Sequence, residues 1–123
     1  MIKSLQEYHE CILDNLTGGL VSVDLQGKVA YLNRMAGKIL SMDPENCCRD
    51  KNYEEAFDAF PALKDVIKET LRTGHCVRRA EISIMHAGTP LIIGYSTMLV
   101  TNREGVELGI TVVFQDISVV NKK

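Results

Sequence analysis

Three features of the sequence predict an α+β fold: one five-stranded antiparallel sheet, with helices covering one face and a further helix flanking it at the N-terminus. Two short strand-forming runs flank the turn "DLQG" and lead straight into a helix. Helical segments fill the stretch up to Thr73, and three alternating runs joined by turns close the chain. The order is helix, two strands, several helices and three strands, so the middle helices must cover one face of a single sheet. The 123 residues suffice for one domain with a substantial core, and 46% hydrophobic with 24% charged residues is the composition of a soluble globular protein. A net charge of −2 and the lack of any basic run argue against nucleic acid or an anionic membrane as direct partners. No apolar run approaches the roughly 20 residues that span a bilayer. The opening "MIKSLQEYHE" is too polar for a secretion signal. The expected setting is cytoplasmic, and the four cysteines, which form no disulfide framework, fit a reducing compartment.

Residues 1–16 place Ile2, Leu5, Ile12, Leu13 and Leu16 on one helical stripe, close to a heptad seam when His9 joins it. Leu5, His9, Ile12 and Leu16 are therefore the expected homodimer contacts. The same helix is also expected to lie on the outer face of its own sheet, where Gly94 and Ser96 are small enough to admit it. Strands are expected over Leu20–Asp24 and Lys28–Asn33. Asp24 can bond back to its own backbone, and Gly27 can take positive φ. Asn33 suits the N-cap of a helix running to about Ser41, with Met35, Ala36, Ile39 and Leu40 buried. Short helical pieces follow, with Tyr53, Ala56, Phe57 and Phe60 on one face. A firm helix then runs from Pro61 to Thr73, with Gly74 just past its end. In the last three strands Ala80, Ile82 and Ile84 alternate with polar residues, and "NREG" repeats the chemistry of "DLQG".

The run "DLQGKVAYLNRMAGKIL" resembles the PAS family, with Asp24, Gly27, Asn33 and Ala36 at its marked positions. "GITVVFQDIS" is similar to the family's closing strand, Asp116-Ile117-Ser118 matching its exit signature. The resemblance implies a PAS domain over residues 17–118, the flanking helix before it, and a linker starting at residues 119–123. It also implies a sensory or dimerisation module attached to an output domain. Bacterial histidine kinases of two-component systems come first as that output, with transcription activators and cyclic-dinucleotide enzymes as alternatives. By the same resemblance Asp116 couples the sheet to the output. Flavin is argued against: "ENCCRDK" shares only Asn46, Cys47 and Arg49 with the light-sensing motif, and Phe114 stands where those relatives carry Gln. Haem is argued against because "PALKDVIKETLRTG" has no histidine, His75 falling just after it. The cofactor thus stays unassigned.

Strand parity assigns Ile82, Ile84, Ile93, Tyr95, Thr97, Ile110, Val112 and Phe114 to the dry face that would line the family's ligand cavity. Phe57, Phe60, Leu63 and Ile67 should press down from the helices. Tyr95, Thr97 and Arg78, which shares parity with Ala80, supply polar groups for a small apolar or amphipathic ligand, unless Arg78 reaches solvent at the rim. The competing reading is that these side chains simply fill the core and the domain is an interaction scaffold. Cys47-Cys48 has no second pair at zinc spacing, so buried small hydrophobes account for it better than a metal or redox site. His9, His75 and His86 are scattered and form no catalytic grouping, so no enzyme activity or metal site is expected.

Overall fold

A computed structural model describes residues 18–43, 51–86 and 88–117. Its strands are β1 (Gly19–Asp24), β2 (Val29–Leu32), β3 (Ala80–His86), β4 (Thr89–Thr101) and β5 (Glu107–Asp116). The helices α1 (Arg34–Leu40), α2 (Tyr53–Ala56) and α3 (Pro61–Thr73) all lie between β2 and β3. The sheet is antiparallel throughout, in the order β2-β1-β5-β4-β3. The expected architecture is therefore present. The flanking helix with Leu5, His9, Ile12 and Leu16, the pair Cys47-Cys48 and residues 118–123 lie outside the described residues.

Two turns built alike set the registers of β1–β2 and β4–β5. Asp24 Oδ1 accepts the backbone N–H groups of Gln26 and Lys28, both at 2.9 Å, and Gly27 takes φ 88°. Asn102 Oδ1 accepts those of Glu104 at 2.9 Å and Val106 at 3.0 Å, and Gly105 takes φ 84°. An Asx side chain mimics one peptide carbonyl of the turn, and glycine supplies the left-handed residue without a Cβ clash. Among the described residues only the first turn is docked: the Tyr53 N–H donates to Gly27 O at 2.8 Å, and the Val29 N–H donates to Lys51 O at 2.8 Å.

Alternation puts one side of each strand in the core. Val21, Val23, Ile84, Ile93, Ile110, Val112 and Phe114 face Ala36, Leu40, Tyr53, Phe57, Phe60, Leu63 and Ile67 across a single apolar cluster. Burial of such side chains contributes roughly 25 cal/mol per Å² of apolar surface removed from water. Where Gly109 of β5 pairs with Asp24 of β1 there is no room for a side chain: a Cβ at Gly109 would lie 2.3 Å from the Val23 carbonyl oxygen.

Tyr53 closes the core at the docked turn, and only 7% of its surface is exposed. Burial, and next the Glu54 carboxylate, push its phenol above the ordinary value of 10.0. A raised folded-state pKa means that the unfolded chain releases the proton first as the solution turns alkaline. The stability from keeping Tyr53 neutral is thus complete below the ordinary value and is lost as pH rises through the folded-state value. Denaturant melts across roughly pH 9 to 11 should show a steeper loss for the natural chain than for Tyr53→Phe, which has no proton to release. Equal slopes would contradict this.

Candidate functional site

The residues expected to line a ligand cavity do converge, and they pack rather than enclose. Phe57, Ile67 and Val112 are 0% exposed, and Phe60, Leu63, Ile84, Ile93, Thr97, Ile110 and Phe114 are also buried. Between Leu40, Leu63, Ile82, Ile84, Ile93 and Phe114 there remains a void of about 10 Å³. That is about the space needed to hold one water, and the lining offers water no polar partner. Phe114 does much of the filling. A Cβ added at Gly19 would come within 2.7 Å of its ring and 3.0 Å of Ala36 Cα, so the ring lies flush on backbone.

Larger space opens at the flank. A groove of about 690 Å³ lies where Val66, Thr70 and Thr73 of α3 meet Val77, Ile82 and Tyr95. Asp65, Lys68, Glu69 and His75 form its polar rim. Ile82 and Tyr95 are half-buried here, so two members of the expected lining border this groove. A second depression, of about 350 Å³, occupies the outer face of the sheet between Glu81, Gly94, Ser96, Val113, Gln115 and Ile117.

Of the two readings of Arg78, the solvent-facing one agrees with its exposure: it borders neither hollow, and Arg79 at φ 55° breaks the alternation that would have aligned Arg78 with Ala80 and Ile82. Thr97 is buried as expected, with its hydroxyl engaged: Oγ1 accepts the Val77 N–H at 2.8 Å. Asp116 is exposed at the end of β5, opposite Ile93. Of the cysteines, Cys76 is described, and it is free and exposed, between His75 and Val77 of the groove lining. Among the described residues no group of three or more His, Cys, Asp or Glu side chains is placed to hold a metal ion. No helix among them is long and apolar enough to cross a membrane.

Sequence reasoning caught Asn33 as an N-cap but missed its larger role. Fully buried, it accepts on Oδ1 from the N–H groups of Ala36 and Leu20, both at 2.9 Å, and donates from Nδ2 to Gly18 O at 3.1 Å. One side chain thereby ties the start of α1 to the start of β1. Thr70 was also missed. It is 2% exposed, satisfied by a 2.9 Å bond from its hydroxyl to Val66 O, and polarity gave no sign of burial.

The profile of the PAS fold matches residues 8–117. Comparison with curated proteins gives no match. Among solved structures, the PAS domain of BvgS from Bordetella pertussis superposes with a TM-score of 0.72 at 19% identity, covering 91% of this chain and 85% of that one. The PAS domain of nitrogen regulation protein NR(II) from Vibrio parahaemolyticus gives 0.65 at 17% identity, covering 94% of this chain and all, 100%, of that one. The VqmA dimer of Vibrio cholerae gives 0.68 at 17% identity over 97% of this chain, which spans only 53% of that protein. At these identities the likeness is one of fold.

Proposed function

The chain belongs to the PAS family, and from that premise we propose that it is a sensory domain that binds a small amphipathic molecule and regulates an attached output domain. It performs no catalysis itself. The observation that carries the reading is the groove of about 690 Å³ between α3 and the β3–β4 side of the sheet. Ligand sites commonly enclose about 300–1,000 Å³, with an apolar wall and a few polar groups. Here Val66, Val77 and Ile82 supply the wall, and Tyr95 with the rim residues Asp65, Lys68, Glu69 and His75 supply the polar groups, the hydroxyls of Thr70 and Thr73 being engaged by Val66 O and Glu69 O. The ligand sits at the flank rather than in the centre, where about 10 Å³ admits nothing larger than water.

In this reading the protein acts in the cytoplasm as a homodimer held by Leu5, His9, Ile12 and Leu16, and Asp116 passes the change on to a histidine kinase. VqmA, a fold relative, is known bound to DPO, which supports a small-molecule role. The packed centre favours one rival, a scaffold that signals only through its partners. Native mass spectrometry of the purified chain, followed by a small-molecule screen read by NMR, separates the two. The sensor reading expects a bound mass, or shifts confined to Val66, Val77 and Tyr95, that disappear in Val66→Asp. A bare mass with no shifts at these residues across the screen would establish the scaffold.

A further inference from the structure

Residues 74–79, between α3 and β3, touch both sides of the sheet. They leave the helix through Gly74 at φ 70° and enter the strand through Arg79 at φ 55°. Ser41, the other described non-glycine residue at positive φ, ends α1, where a left-handed residue is ordinary. Arg79 ends no helix, so something must hold it there.

Two neighbouring hydroxyls on β4 do so. Thr97 Oγ1 accepts the Val77 N–H at 2.8 Å, and the Thr97 N–H donates to Val77 O at 2.8 Å. Ser96 Oγ accepts the Arg79 N–H at 3.1 Å. Consecutive strand residues project to opposite faces: Thr97 is buried in the core, whereas Ser96 borders the outer depression. The segment is therefore gripped once from each face, and the left-handed step at Arg79 carries it across the sheet edge. Val77 borders the groove, and Arg79 borders the outer depression together with Ile117, where the chain leaves β5.

We propose that Thr97 and Ser96 form a two-sided latch through which residues 74–79 transmit occupancy of the groove to the outer face and to the chain leaving β5. This rests on the groove being the sensory site. A molecule wedged against Val77 pulls its N–H from Thr97, and the displacement reaches Arg79, two residues later, and its bond to Ser96. Linkage requires the effect to run both ways.

Amide hydrogen exchange of the full chain, with no ligand added, tests the latch. Thr97→Val removes only the hydroxyl and keeps the Thr97 N–H bond to Val77. It should speed exchange at Val77 and, with its own acceptor untouched, at Arg79 by about tenfold, roughly the worth of one hydrogen bond. Ser96→Ala should do the converse at Val77, and the Gly94 and Ile117 resonances should move in both variants. Thr97→Ser restores the hydroxyl and should restore protection at both amides, while Val112 in the central strand keeps its protection throughout. Should each variant expose only the amide it directly releases, the two bonds are independent and the latch is overturned. A retained ligand alongside independent amides removes the latch alone. Linked amides with an empty groove keep the coupling between Val77 and Arg79 but remove the sensor reading, and with it groove occupancy as the latch's input.

Discussion

Phe114→Ala is expected to cost about 3–5 kcal/mol, the range for deleting a buried aromatic ring. Phe114 is 2% exposed, and its ring lies against Gly19 and near Ala36. On that side the ring meets backbone, which cannot move in to fill the gap, whereas Leu40, Leu63, Ile84 and Ile93 border it on the other and set how far the cost falls within the range. The variant carries a second, less usual expectation. An apolar cavity of ring size stays dry and accepts apolar guests, so benzene should raise the variant's melting temperature and leave the natural chain unaffected. Thermal melts with and without benzene check both. A loss below about 1 kcal/mol would mean that the core had collapsed into the gap or was loosely packed at the outset. Benzene stabilisation of the natural chain would mean that its centre already holds usable space.

Asn33→Leu should be comparably damaging, by about 3–5 kcal/mol, through a different cause. The branching is kept, but leucine is larger than the 0% exposed asparagine it replaces, and an N-cap worth about 1 kcal/mol is lost. In addition the Leu20 N–H and the Gly18 carbonyl each lose a side-chain partner, at about 1–3 kcal/mol for every group left buried and unpaired. Asn33→Asp separates the contributions. It retains both acceptor bonds from Ala36 and Leu20 and turns only the Gly18 contact, now 3.1 Å between donor and acceptor, into two opposed oxygens. Urea midpoints should rank natural chain, Asp, then Leu. If Asp equals the natural chain, the bond to Gly18 contributes nothing.

The fold was largely legible because its signals are local. "DLQG" and "NREG" carry their own acceptor and their own left-handed residue, and Pro61 and Gly74 mark the limits of α3. The site was legible only in part, since parity states which way a residue points and not how much room remains in front of it. Ile84, Ile93 and Phe114 were placed on the correct face, yet whether they bound a cavity depends on how Leu40 and Leu63 meet them, a matter of tertiary packing. For Arg78 parity left two readings open, because it assumes unbroken strand, and an arginine rarely takes the φ of 55° found at Arg79. Thr97 looked available to a ligand, but the backbone group that occupies its hydroxyl lies 20 residues away in sequence.

The two look-alike turns differ in their value to a protein engineer. At Asp24–Lys28 the loop is welded to residues 51–53, so any graft there would pull on β2 and α2 together. At Asn102–Val106 the same set of bonds stands clear of the other described residues, and a Cβ on Gly105 would meet none of them within 4 Å. That tip is a natural port for a fluorophore, an epitope or an inserted reporter domain.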